Sequence, residues 1–416
     1  MPKAFIALFS LITYITLALL LFKKKHLFDF SKWPPNQTLF MIWVMWLVFI
    51  GVLAPLSYYE GDMRVWVSAT RNLLEGKLLP AYYVYLPIYA ELLASLAWPF
   101  HSVGIDSDLF LVYIIHLPMV FSYAYCAKLM SEMIPEKSPL APLGIVLAPV
   151  TVFFIFFGTN HIVMLFCLLA SLALLKSKKW FWSGFFALLG CYKFLLIPTI
   201  FVLLIIIIRT YKWKGAIPFV LGGLVSLLPS FAYYCHDLQA LLRIISHRAA
   251  IGSHAGHIEP FHFLFFSTRL MDGFEAWYLG KQVWFYLSLL GMLLSIILFL
   301  LKRLNTLQSL AFSCAAVAIF SLEPFRIEPM IGLLWLDAIF RRDLLSQRAI
   351  FAILFVHAAT FYDLANSRFL VFAPQAPLFL WEIRGFYLGV AIICSLVVIL
   401  FAKNKQDLVI EGQSER

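Results

Sequence analysis

Asp62 stands in a short polar stretch, Gly61-Asp62-Met63-Arg64-Val65-Trp66, that continues through Leu73-Leu74-Glu75-Gly76 to Tyr85-Leu86-Pro87 between two long apolar runs. A carboxylate in such surroundings is expensive to keep, and ionisable residues at membrane level mark functional sites by default. Loop placement from the basic clusters gathers further polar residues on its side. Glu60, Arg64, Arg71 and Glu75 lie nearby, Asn160 and His161 fall between two apolar runs, and Lys193 sits at an interruption in a third. Residues 235–282 add His247, His254, His257, Arg243, Arg248 and Arg269 among others, followed by Arg326 between Glu323 and Glu328, and then Arg368. One acid facing several cations suits a substrate that carries phosphate and hydroxyl groups. Plainer roles compete with each assignment. Asp62 at a helix start would cap it, Lys193 would snorkel from a hairpin, Arg326 would pair with its glutamates, and Asn160 and His161 would cap or bond across helices. The His254-x-x-His257 spacing is a weak zinc signal without a cysteine partner, so no metal set is assigned.

The elements that must position these residues are apolar helices. Of 416 residues 62% are hydrophobic and 13% charged, where a soluble domain carries about 25% charged residues. Apolar runs of roughly 20 residues, long enough to cross a ~30 Å hydrocarbon layer, recur from end to end. The expected fold class is all-α: a polytopic transmembrane helical bundle of ~11 to 15 segments, one integral membrane domain over 1–416. The net charge of +10 does not point to nucleic acid, because the basic residues collect between apolar runs. The clusters are Lys23-Lys24-Lys25 with Lys32, Lys176 with Lys178 and Lys179, Arg209 with Lys212 and Lys214, Lys302-Arg303, Arg341-Arg342 with Arg348, and Lys403 with Lys405. The positive-inside rule puts all of them in the cytoplasm. Run 4–22 then reads as an N-out span rather than a cleaved signal, run 39–56 exits, and residues 58–85 form the first outer loop. The six cysteines are spread singly and read as small buried hydrophobes.

Between residues 85 and 176 this alternation does not close, and one run has to split; 108–133, with His116 and Pro118 near its middle, is the candidate. Run 180–208, interrupted by Gly190-Cys191-Tyr192-Lys193, reads as a helical hairpin with Lys193 at its outer tip. Broken helices at membrane depth are tolerated where they line protein or a wet cavity. Residues 62–76 put Met63, Trp66, Val67, Thr70, Leu73 and Leu74 on one helical face, opposite Arg64, Ser68, Arg71 and Glu75. That is an amphipathic helix lying in the interface and stopped by Gly76. A second outer loop occupies 235–282, further spans (306–322, 329–340, 349–362, 385–402) fill 283–402, and 403–416 is a cytoplasmic tail.

An acid just after a transmembrane helix, an aromatic one turn later, a helix ending Leu-Leu-x-Gly, and Tyr85-Leu86-Pro87 leading into the next span together resemble a known first outer loop. It is that of the GT-C superfamily of polytopic glycosyltransferases, in its bacterial polyprenyl-phosphate-mannose-dependent α-mannosyltransferase branch. Gly158-Thr159-Asn160, then Gly184, Gly190, Lys193 and Pro198 ahead of Arg209, is similar to that branch's Gly-Gln-x-x-Asn helix and Gly…Gly…Lys-x-x-Pro hairpin. The likeness covers residues 4–234. Thr159 replaces the glutamine, Asn160 comes one position early, Trp66 stands where tyrosine is common, and Ile88 replaces a second proline.

The resemblance implies an inverting transfer at the outer face of the plasma membrane. A sugar, mannose favoured, would move from a polyprenyl-phosphate donor to a hydroxyl of a glycolipid, glycan or protein acceptor. Asp62 would be the catalytic base. Lys193, Arg326 and Arg368 would bind the donor phosphate, and Glu60, Arg64, Tyr85, Asn160 and His257 would contact substrate. No cofactor is implied, and a divalent metal beside Asp62 is left open. Two other functions compete: an O-antigen ligase or polymerase working through 235–282, and a lipid-linked sugar transporter or flippase. Transporters commonly show matched broken helices in two halves, and only one broken hairpin is visible here.

Overall fold

A computed structural model describes residues 61–83, 85–134, 141, 160–193, 196–242, 283–320, 328–350, 397 and 407, with backbone alone at 61, 62, 283–285, 318–320 and 328. Runs 4–22 and 39–56, residues 351–362 of run 349–362, loop residues 243–282, and all but single residues of 385–416 lie outside these. Every regular element among the described residues is helical. The chain divides into two compact units, one built from 34–129 and 151–250, the other from 1–33, 130–150 and 251–416.

The first unit holds α1 (Gly61–Leu74), α2 (Pro87–His101), most of α3 (Asp108–Met133), α4 (His161–Lys176), α5 (Trp180–Leu189), a 3-10 turn (Gly190–Lys193) and α6 (Ile197–His236). α1 has the amphipathic pattern read from its sequence: Met63, Trp66, Val67 and Thr70 are buried, and Arg64 is exposed. Its apolar face packs on α2. Its stop is as expected. Gly76 adopts φ 69°, its N–H donates to the Leu73 carbonyl at 3.1 Å, and the Lys77 N–H donates to the Asn72 carbonyl at 2.7 Å. That reversed pair of bonds closes a helix on a left-handed residue. At the other end residues 61 and 62 are already helical, so Asp62 stands inside α1 rather than as its cap.

The expected split of 108–133 does not occur. α3 runs unbroken through Pro118 over 26 residues. A proline removes one N–H and crowds one carbonyl, and the residues on either side of it, Val112, Ile115, Met119 and Val120, are buried and hold the helix together. His116 Nδ1 lies 2.7 Å from the Val112 carbonyl one turn back. α2 instead runs alongside α1. Near its start Tyr89 meets Trp66 with ring centroids 4.9 Å apart. Beyond its end Arg71 of α1 bonds the Asp106 carbonyl at 3.0 Å and pairs with the Asp108 carboxylate.

α5, the 3-10 turn and the first half of α6 form the expected hairpin. α6 itself bends at Lys212 (φ 59°, ψ −160°), so two helices meet inside the Arg209–Lys214 cluster. α5 lies very close to the second half. A Cβ at Gly184 would overlap the Phe219 carbonyl, and one at Gly222 the Phe181 carbonyl. Such backbone approach through small residues is how helices associate where no hydrophobic force drives them together. Cys126, Cys167 and Cys191 are buried and free, as small hydrophobes.

The second unit includes α7 (Val283–Leu300), α8 (Thr306–Phe320) and α9 (Glu328–Phe340). α8 opens on a reciprocal cap: the Gln308 N–H donates to Asn305 Oδ1 at 2.9 Å and the Asn305 N–H to Gln308 Oε1 at 3.2 Å. The same two side chains donate to the buried Asp337 carboxylate of α9 at 2.7 and 3.0 Å. Arg341 completes the set with Nε at 2.9 Å and Nη2 at 2.7 Å from Asp337 Oδ2. Arg341 is therefore a buried ion-pair partner.

α4, α7 and α9 all end at basic clusters with a left-handed Lys or Arg, Lys178 at φ 57°, Lys302 at 56° and Arg342 at 54°. A cation near a helix C-terminus gains about 0.3–1 kcal/mol from the helix dipole, which offsets part of the backbone cost.

Two substitutions test the packing of the two units. Gly222→Leu should cost about 3 kcal/mol or more, because neither carbonyl-facing backbone can retreat. Asp337→Ala should cost about 3 kcal/mol by removing the main partner of the Arg341 guanidinium and leaving it only Asp343, 3.2 Å from Nη1. Thermal unfolding of the purified protein in detergent reads both; wild-type melting in either variant would refute the contact concerned.

Candidate functional site

The break between α5 and α6 sets the site. Its 3-10 turn leaves the Tyr192 carbonyl outside a regular helix, and the Leu86 N–H donates to it at 2.9 Å. Two further bonds fix the segment that joins α1 to α2: Leu79 N–H to the Tyr233 hydroxyl at 2.7 Å, and Ile88 N–H to Ser230 Oγ at 3.2 Å. These bonds bring three tyrosines around the fully buried Trp66. Tyr85 stacks on it at 5.1 Å, and Tyr83 and Tyr89 meet it edge-on at 5.8 and 4.9 Å. Tyr89 in turn stacks on Tyr192 at 4.8 Å and 15°.

Lys193, the last residue of the turn, is 2% exposed. Its Nζ lies 4.9 Å from the Tyr85 ring centre and 5.8 Å from that of Trp66. The negative faces of the rings attract the ammonium and offset part of what it loses on leaving water. A snorkelling lysine would carry its head to solvent, so that role is overturned. Asp62 is described by its backbone alone; it occupies α1 one turn before Trp66, on the same helical face.

Asn160 precedes α4 and is 0% exposed. Its carbonyl accepts a bond from the Tyr192 hydroxyl at 2.7 Å. The side chain makes no capping bond, contrary to the plain expectation for that position. The carboxamide lies beside the Tyr89 hydroxyl, close enough to interact, but not at the distance and angles of a formed hydrogen bond. Tyr85 belongs to the cluster, while Arg64 is exposed on the other face of α1. Glu60, His257, Arg326 and Arg368 lie outside the described residues. At the far end of α1 a hydrogen bond from Lys77 holds the Glu75 carboxyl below its ordinary range.

The sequence reading missed Tyr89, Tyr192, Ser230 and Tyr233. Tyr192 had a signal, its place in the Gly190–Lys193 interruption; the others stand in apolar runs where a tyrosine or serine is unremarkable. Among the described residues no three His, Cys, Asp or Glu side chains gather to hold a metal. The arrangement can hold an anion at the ammonium and hydroxyl groups at the neighbouring amide and phenol. Comparison with protein-family models, curated proteins and solved structures finds no significant match.

Trp66→Ala should cost about 3–5 kcal/mol, since it empties the centre of the ring cluster, and Trp66→Phe distinctly less. Melting of the two variants in detergent checks this, and equal stability would show that the rings do not depend on Trp66.

Proposed function

We propose that the chain is a multi-pass membrane glycosyltransferase of GT-C type, moving a sugar from a polyprenyl-phosphate donor to an acceptor hydroxyl at the outer face of the plasma membrane. One observation carries the reading. A buried ammonium, Lys193, stands against the rings of Tyr85 and Trp66, and Trp66 lies one turn after the acid at position 62 on the same helix. The tyrosine, the lysine and the acid are the ones that the GT-C resemblance singles out.

Membrane insertion has its own support. α3 and α6 are long and apolar enough to cross a bilayer. Along α6, Ile217, Leu221, Leu224, Leu228 and Phe231 recur at helical spacing and are exposed, as lipid-facing residues would be. The alternation that failed between residues 85 and 176 closes if α2 is not a span. Both ends of α2 are tied to α1 through Tyr89 and Asp108, so residues 71 and 108 share one side. Lys176–Lys179 then returns to the cytoplasm with α3 intact.

In the proposed reaction the Asp62 carboxylate takes the proton of the acceptor hydroxyl as that oxygen attacks the anomeric carbon. The bond from that carbon to the phosphate oxygen breaks, and polyprenyl phosphate leaves with its charge met by Lys193. Single displacement inverts the anomeric centre. The ligase alternative depends on histidines and arginines of 235–282, of which 243–282 lie outside the described residues.

Asp62→Asn, reconstituted in lipid, should lose transfer from polyprenyl-phosphate mannose by about 10²-fold or more at unchanged melting temperature. Undiminished transfer would reject the base assignment. Offering glucose- and arabinose-linked lipids beside mannose identifies the sugar.

A further inference from the structure

We propose that the Asn160 carboxamide and the Tyr89 hydroxyl are the hydroxyl-recognition pair of this site, holding the sugar of the lipid-linked donor whose phosphate meets Lys193. The proposal rests on the glycosyltransferase reading and extends it to Tyr89, a residue the sequence does not single out.

The starting observation is a polar side chain turned away from the role its position offers. A residue at the start of α4 is well placed to cap that helix, yet the Asn160 side chain makes no capping bond. Its backbone is pinned by the Tyr192 hydroxyl at 2.7 Å, so the orientation belongs to a fixed frame. Neither Nδ2 nor Oδ1 closes a hydrogen bond, nor does the Tyr89 hydroxyl beside them, and the two residues are 0% and 3% exposed. Buried polar groups are satisfied in native proteins, and an exception calls for a missing partner. A carboxamide offers two donors and two acceptors, and a phenol one donor and an acceptor. A sugar hydroxyl gives and takes a hydrogen bond at once and fits both groups; an isolated anion would leave the amide oxygen opposed.

The pair also lies in the right place. The Tyr89 ring is stacked on Tyr192 at 4.8 Å and packed against Trp66 at 4.9 Å, and the Lys193 ammonium stands 5.8 Å from Trp66. Tyr89 and Lys193 thus border the same tryptophan ring, so a phosphate at one and its sugar at the other would belong to one ligand. A site that bonds substrate hydroxyls rejects ligands lacking them, because its own buried groups are then left unpaired.

The test uses the full-length protein in nanodiscs, titrated with polyprenyl-phosphate mannose and with bare polyprenyl phosphate. Wild type should prefer the mannose-linked lipid. Asn160→Leu should bind the bare lipid as wild type does and weaken about tenfold for the mannose-linked lipid, the loss of about one or two hydrogen bonds. Tyr89→Phe, which keeps the stacked ring and removes one oxygen, should weaken it about threefold to tenfold on the same scale, and it decides the matter if Asn160→Leu fails to fold.

Retained preference in the variants would mean that a buried water or packing satisfies the pair. Equal loss for both lipids would mean a purely structural role, and a wild type without preference leaves nothing for the pair to read; each of these overturns the proposal alone. A wild type that binds neither lipid overturns the glycosyltransferase reading with it.

Discussion

A helix interrupted among apolar neighbours releases backbone groups that water cannot reach, and each must find a partner in the protein. Here the release falls between α5 and α6, and one released group is the Tyr192 carbonyl. Its partner is the N–H of Leu86 at 2.9 Å, which lies on the connection between α1 and α2. That single bond joins two parts of the chain more than a hundred residues apart and fixes where the tyrosines of the connection stand. Ser230 and Tyr233 extend the same principle, serving main-chain donors at Ile88 and Leu79. The ring cluster around Trp66 follows from this framework, and so does the pocket of rings that receives Lys193.

The two units bury charge in different ways, and the difference separates a structural network from a site. In the second unit Asp337 is surrounded by donors: Asn305 and Gln308 at 2.7 and 3.0 Å, and Arg341 at 2.7 and 2.9 Å. Opposite charges neutralise each other within it, and both Asn305 and Gln308 are used twice, once in the helix cap and once across to α9. In the first unit the ammonium of Lys193 meets ring faces, and the nearby Asn160 and Tyr89 side chains close no bonds. Ring faces attract a cation, and two buried polar side chains that close no bond of their own leave room for a ligand's hydroxyls.

What the sequence showed depended on how local the signal was. Gly76 as a helix stop, the amphipathic face of α1 and the hairpin broken at Gly190–Lys193 were all legible, because turn chemistry and helical spacing are properties of a few adjacent residues. The split at Pro118 was misjudged because proline's effect is set by what surrounds it, and α3 is buried on both sides of that residue. α2 reads as a span because an apolar run looks alike whether it crosses a bilayer or lies against another helix; the pairing of Arg71 with Asp108, on which the proposed topology draws, is tertiary. Asn160 was legible as polar; its position suggested a cap, whereas its side chain makes no capping bond and its carbonyl is held by the Tyr192 hydroxyl, a tertiary contact.

Helix lengths add a constraint on depth under the proposed topology. From Ile197 to the bend at Lys212 the first half of α6 rises about 22 Å at 1.5 Å per residue, while the hydrocarbon layer is about 30 Å thick. With the Arg209–Lys214 cluster at the cytoplasmic surface, the Lys193 turn stops short of the outer one. An ammonium at that depth persists only if protein encloses it, which the rings of Trp66 and Tyr85 do. The enclosing segment is the connection from α1 to α2, and its route is fixed by bonds to Tyr192 and Tyr233. A phosphate attached to a long isoprenoid chain is already anchored in the bilayer and approaches from the side, whereas a free nucleotide sugar would have to leave water to reach the same atom. Within the proposed glycosyltransferase reading, the depth of the lysine suits a lipid-linked donor.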